Sequence, residues 1–299
     1  MATVHEDTAA ASVLLETKFF APTWREGLVR RPRLTERLER GVEGRLVLIS
    51  APAGSGKTTV LGEWLATRPD RPVAWLSLDG PDSESGRFWE YAVEALQRVR
   101  PGIGARALAM LRTRQSPPIE VILTALLNDV ALDTNDLVLV LDDYHVIESA
   151  PVHEAVSFLI DHMPPQLHLV IASRADPALP LARLRARGEL VELRANDLGF
   201  SIEEAASFLN EAMGLDLSPE DVAALEGRTE GWIAGLQLAA LSMQGRDDTQ
   251  AFVSAFAGDD RYVVDYLLEE VLQRQPAHVR DFLLATSILD RLCGPLCDA

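Results

Sequence analysis

A chain of 299 residues in which 45 Asp and Glu outweigh 28 Lys and Arg carries a formal charge of −17, which repels phosphate backbones and argues against a general nucleic-acid-binding surface. With 47% hydrophobic and 24% charged residues it has a globular composition, and its length suits two domains or one large domain with an appendage. No apolar run approaches the roughly 18 residues a membrane span needs, and "MATVHEDTAAASVLLETKFF" lacks a basic start ahead of a long apolar block, so a soluble, cytoplasmic protein with no membrane partner is expected.

Residues 1–24, Ala-rich at the start, read as a flexible lead-in. Five compact runs rich in Val, Ile and Leu then read as buried strands: "RLVLISA" at 45–51, "VAWLSLD" at 73–79, "LVLVLDD" at 137–143, "LHLVIAS" at 167–173 and "ELVELR" at 189–194. Helical patterns fall between them at 58–65, 87–99, 120–132 and 152–162. Strands alternating with helices imply an α/β fold, a mostly parallel sheet with helices on both faces. Two arginine clusters, at 25–40 and 183–190, suit solvated helix faces at least as well as a local basic patch.

Beyond Arg194 the strand-like runs stop. Ser201 with Glu204 forms a capping-box start, and "SPE" at 218–220 places an N-cap before a proline at the first helical position, so an all-helical region follows. The cysteines, Cys293 and Cys297, have no second ligand pair nearby and read as reduced thiols.

The chemistry is concentrated in "SAPAGSGKTT". A strand, a loop with Gly54 and Gly56, then Lys57 and Thr58 opening a helix is the arrangement a P-loop requires. Glycines let backbone N–H groups turn towards phosphate, the helix N-terminus favours negative charge, Lys57 adds a point charge, and the Thr58 hydroxyl suits Mg²⁺. The nucleotide-binding set is Pro52, Ala53, Gly54, Ser55, Gly56, Lys57, Thr58 and Thr59. Ala51 stands where the GxxxxGK[ST] pattern has its first glycine, and the phosphate turn uses the later ones.

The third strand ends in Asp142 and Asp143, at the sheet edge where a Mg²⁺-organising carboxylate belongs. Asp142 is expected to hold the metal through water, alongside Thr58. Asp143 either polarises the attacking water or caps a turn. Arg174, in "IASRADP" at the end of the fourth strand, either senses the γ-phosphate or pairs with a surface carboxylate. His145 is a further candidate on the γ-phosphate side or a plain loop histidine.

These stretches, with "TKFFAP", "VRRPRL", "LVLVLDDYHVI", "LARLRARGEL", "FSIEEAASFL", "EGWIAGLQLAALS" and "FLLATSILDRLCGPLCDA", resemble the N-terminal signalling-ATPase part of MalT-type (LuxR family) transcriptional regulators, members of the STAND class of P-loop NTPases. The resemblance implies a P-loop domain over 25–195, an all-helical lid over 196–250 and the start of a winged-helix domain over 251–299. It also implies a slow regulatory ATPase holding ADP at rest, with ATP and an unknown inducer favouring a self-associating state of the full-length protein. Arg30 and Arg31 of "VRRPRL" become candidate base and ribose contacts. "GWIAG" corresponds to a nucleotide-reading lid motif, with Ile233 where many relatives carry proline. Such regulators continue into a superhelical sensor and a helix-turn-helix, so a truncated or fragmentary regulator without specific DNA binding of its own is expected. The same module borne by a serine/threonine kinase is the alternative.

Overall fold

The computed structural model describes residues 13–25, 27–245, 249–256, 261–273 and 275–287. Strands β1 (Leu46–Ser50), β2 (Val73–Ser77), β3 (Leu137–Asp142), β4 (Leu167–Ser173) and β5 (Leu190–Arg194) form one parallel sheet in the order β2-β3-β4-β1-β5. The strands are apolar without alternation because both faces are covered. Leu46 and Leu48, Leu137, Leu139 and Leu141, and Leu167, Leu169 and Ile171 face one core, built with helices α3 (Ser85–Val99), α5 (Ile119–Ala131) and α6 (Ala150–His162). Val47 and Ile49, Val138 and Val140, and Val170 and Ala172 face the other, built with α1 (Pro32–Gly41) and α2 (Lys57–Thr67). Each strand thus contributes alternate side chains to two cores, as a doubly covered parallel sheet requires.

The arginine-rich 25–40 stretch resolves into α1, a strongly amphipathic helix. Leu34 and Leu38 are buried while Arg37 pairs with Asp197. Helix α4 (Ala105–Leu111), which the sequence pattern does not announce, is a short element buried through Ala107 and Leu108. Helix α7 (Leu181–Ala186) likewise buries Leu181 and Leu184 and directs Arg183 to Asp161 and Arg185 to Glu192. Where composition suggests a flexible lead-in, residues 14–19 form a packed strap. Lys18 is buried in ion pairs with Asp82 (2.5 Å) and Asp79 (2.8 Å), and the Leu15 amide donates to the Tyr91 hydroxyl. A single lysine cannot signal such burial, because its partners lie more than sixty residues away.

The chain divides after Leu198, where the short helix α8 (Ala195–Leu198) ends the α/β unit. Every regular element among the described residues of the second unit is a helix. Ser201 and Glu204 complete the reciprocal capping box that opens α9 (Ile202–Ala206), and Ser218 accepts the Asp221 amide at the start of α10 (Pro219–Thr229). Helix α9 runs into a π-helical turn, Ser207–Ala212, rather than continuing as α-helix, and the Met213 amide donates five residues back to Phe208. Helices α11 (Ile233–Met243), α12 (Thr249–Ala255), α13 (Arg261–Leu267) and α14 (Ala277–Thr286) follow. Cys293 and Cys297 lie outside the described residues. No helix among those residues is long and apolar enough to cross a membrane.

Candidate nucleotide site

The strand order sets the site. β4 lies between β1, which feeds the phosphate loop, and β3, which ends in the acidic pair, so the carboxyl ends of three adjacent strands converge. Gly54 and Gly56 are both left-handed, at φ +73° and +75°, which explains why these two loop positions need glycine. Ala51 does not: its amide extends the ladder to the Ser173 carbonyl at 3.2 Å, and its methyl group packs in the α1/α2 core. Replacing the first glycine of the pattern therefore costs the turn nothing.

Lys57 is the first residue of α2 and is buried, its Nζ donating to the carbonyls of Ala51 (2.8 Å) and Pro52 (2.9 Å). Burial holds its pKa below the usual lysine value, and the positive charge of Arg174 adds to that effect, while Asp143 and Asp142 oppose it. Three of the residues singled out in the sequence therefore share one electrostatic field with Lys57. Thr58 Oγ1 donates to Asp142 Oδ2 at 2.9 Å, so the two expected metal-side oxygens are in contact although 84 residues separate them.

Asp142 is 4% exposed, and its pKa is pushed up to about 6, first by burial and then by the neighbouring Asp143 charge; the Thr58 hydrogen bond, the Asp143 amide and Lys57 pull the other way. A carboxyl group whose folded pKa exceeds its unfolded value favours the fold while protonated. That contribution is complete below about pH 4 and is lost as pH rises through about 6. Asp142→Asn is accordingly expected to stabilise the nucleotide-free protein at pH 7–8, by up to ~3 kcal/mol if the whole shift is realised, and to flatten its stability between pH 4 and 7. Urea unfolding of both proteins across that range is the check; parallel pH profiles would mean that Asp142 is not held in this environment.

Asp143 occupies left-handed backbone at φ +57°, and its amide donates to Asp142 Oδ1 at 3.0 Å. The turn is fixed from below by Tyr144, which is buried and bonded through its hydroxyl to His153 Nδ1 at 2.9 Å. His145 Nδ1 lies 3.7 Å from Asp143 Oδ1, placing it beside the acidic pair.

The "VRRPRL" arginines separate. Arg30 is exposed and lines a cavity of about 680 Å³, together with Pro22, Trp24, Leu28, Gly62 and Leu65, and an adjoining cavity of about 560 Å³ has Thr58 and Thr59 in its wall. Arg31 is buried. Its amide donates to Glu63 Oε1 at 2.7 Å, and its guanidinium reaches the Leu198 carbonyl at 2.9 Å and the Gly56 carbonyl at 3.4 Å, tying the phosphate loop to the end of α8. Sequence reasoning missed Trp24, Ser50, Asp176 and Arg194, the last three of which meet beside the Arg174 loop. Asp176 stands within the quoted "SRADP", but nothing in one strand end reveals its neighbours.

Residues 25–172 match the AAA ATPase domain family and residues 268–299 the MalT winged helix domain. The HTH-type transcriptional regulator MalT of Klebsiella pneumoniae is 36% identical over 279 residues, 93% of this chain and 31% of that protein. The serine/threonine-protein kinase PknK of Mycobacterium tuberculosis is 35% identical over 274 residues, 91% of this chain and 25% of that protein. This is the P-loop ATPase module that MalT-like regulators and PknK-like proteins share. The chain spans between a quarter and a third of the length of these relatives. Among solved structures, the Aeropyrum pernix Orc1 protein in complex with DNA aligns with a TM-score of 0.44 at 15% identity, over 87% of this chain and 71% of that one. The AAA ATPase match covers the stretch that holds Lys57, Thr58 and Asp142.

Proposed function

We propose that the module is a nucleotide-operated switch of the STAND class, a slow ATPase within a MalT-type transcriptional regulator. It holds ADP at rest, and ATP together with an inducer favours self-association of the whole protein. The observation that carries this reading is the contact between Thr58 and Asp142 across the sheet edge, beside a lysine and an arginine whose charges reach one another. Residues 52–59 cradle the phosphates, Arg174 senses the γ-phosphate, and Asp143 orients the attacking water. Arg30 and Arg31 lie on the base and ribose side, with Arg31 acting through the Gly56 carbonyl it bonds. Thr58 Oγ1 and Asp142, a hydroxyl and a carboxylate already in contact, suit a hard divalent cation, with Asp142 acting through water. Mg²⁺, when bound, neutralises charge on the phosphoryl oxygens.

In this reading the P-loop domain covers 25–195, the helical lid 196–250 and the beginning of a winged helix 251–299, and the site is cytoplasmic. The PknK match supports a second setting, the same module serving a protein kinase. Nothing in the proposed chemistry changes between the two.

Equilibrium titration with ADP and ATP in Mg²⁺, followed by single-turnover hydrolysis, tests the switch. One nucleotide should bind per chain, and turnover should fall well below the ~10 s⁻¹ typical of metabolic enzymes. Turnover at or above that rate would replace the switch with a dedicated enzyme, and absence of binding would leave a scaffold. The same preparation should bind duplex weakly at physiological salt and should not prefer promoter over scrambled sequence, because a chain of charge −17 offers little to a phosphate backbone and whatever phosphate contacts it makes carry no sequence information.

A further inference from the structure

We infer that Asp176 is a positioning residue that holds the Arg174 loop against the phosphate-loop strand, an inference that rests on the γ-phosphate role proposed for Arg174. Parallel register places Ser173 on β4, Ser50 on β1 and Arg194 on β5 in one row across the carboxyl edge of the sheet. In-register neighbours of a parallel sheet present their side chains to the same face. All three turn to the same short loop. Ser173 Oγ donates to the Ala175 carbonyl at 2.5 Å, and Ser50 Oγ donates to Asp176 Oδ1 at 2.8 Å. The Arg194 guanidinium grips the same carboxylate as a fork, Nη1 to Oδ1 and Nη2 to Oδ2, the latter at 3.1 Å. The segment from Ser173 to Asp176 is therefore fastened on both sides of Arg174.

The fastening has a chemical purpose. Arg174 and Lys57 are close enough for the arginine's charge to be felt at the lysine, and the Asp142 and Asp143 carboxylates share that field, so where Arg174 reaches depends on where its loop is held. A loop tied to β1 and β5 keeps Arg174 at that edge. Bidentate pairing with an arginine fixes direction as well as distance, and the Arg194 fork together with Ser50 holds the Asp176 carboxyl well below its usual range. Both members of the ion pair are substantially exposed, at 36% and 49% for the side chains. An exposed pair contributes little to global stability, so its effect should appear in nucleotide discrimination rather than in melting temperature.

A double-mutant cycle on the full 299-residue chain reads this directly. Dissociation constants for ADP and for ATPγS in Mg²⁺ are measured for the parent, Asp176→Ala, Arg174→Ala and the double variant. Asp176→Ala should leave ADP affinity within ~2-fold and weaken ATPγS by ~5–10-fold, the scale expected when a charged group moves by a fraction of an ångström. It should add nothing once Arg174 is gone, because coupled residues are not additive. Asp176→Asn keeps the acceptor for Ser50 and loses the charge facing Arg194, so an intermediate effect is expected; being isosteric, it also carries the test if the alanine variant fails to fold. If Arg174→Ala leaves the ATPγS-to-ADP ratio unchanged, the γ-phosphate role of Arg174 falls, and the positioning role falls with it. If Arg174→Ala changes that ratio while Asp176→Ala does not, or Asp176→Ala weakens both nucleotides equally whether or not Arg174 is present, the positioning role alone is overturned.

Discussion

Lys57→Ala should abolish the thermal stabilisation that ADP or ATP gives the parent protein. A ligand that binds only the native state stabilises it by ~2.7 kcal/mol at a hundredfold excess over its dissociation constant, or roughly 4 °C in melting temperature for a chain of this size unfolding as one unit. Losing the only lysine of the phosphate loop removes the charge that opposes the β- and γ-phosphates, so the shift should collapse towards zero. The nucleotide-free fold should survive, because two consequences of the substitution oppose each other. The Ala51 and Pro52 carbonyls lose a charged donor, a loss of ~1–3 kcal/mol for each group left without any partner. A cation whose pKa is depressed chiefly by burial is also removed, which relieves a desolvation penalty. Differential scanning fluorimetry with and without nucleotide, on parent and variant, measures both quantities. A shift in the variant equal to that of the parent would remove the phosphate loop from the binding site.

The phosphate loop, the acidic pair and the five strands were legible because each is written in contiguous residues. A strand buried on both faces is a run of apolar residues, and the two left-handed positions of the phosphate loop are glycines. What could not be read depends on register. Ser50, Ser173 and Arg194 become one row only when β4, β1 and β5 align, and no local pattern carries that alignment. Arg31 shows the same limit. In "VRRPRL" it is indistinguishable from Arg30, yet one is exposed at a cavity and the other is buried against the Gly56 and Leu198 carbonyls. Its environment is set by α8, whose residues come more than 160 positions later. The arginine clusters were ambiguous for a related reason: Arg37, Arg183 and Arg185 each find a carboxylate on another element, so they neither make a basic patch nor stand idle in solvent.

Asp143→Asn should separate hydrolysis from binding. The backbone at Asp143 is left-handed, at φ +57° and ψ +35°, a conformation that asparagine adopts more readily than most residues other than glycine, so the substitution should preserve the turn. The hydrogen bond that the residue 143 amide donates to Asp142 Oδ1 comes from the backbone and survives, as does the Tyr144 anchor bonded to His153. Only the charge and the basicity of one carboxylate are lost. Because the Asp143 charge helps to raise the pKa of Asp142, its removal should also bring Asp142 nearer to the ordinary carboxylate range, which keeps Asp142 ionised at neutral pH and works against any loss of ATP affinity. ATP binding is therefore expected to stay within ~3-fold of the parent, while single-turnover hydrolysis falls by ~10²–10⁴, the usual contribution of a positioned general base. If Asp143 instead only caps the turn, asparagine will cap it equally well and the rate will not move. Hydrolysis at the parental rate in Asp143→Asn would thus assign the carboxylate to the turn and leave the attacking water to another group at the same edge, of which His145, 3.7 Å from Asp143, is one candidate.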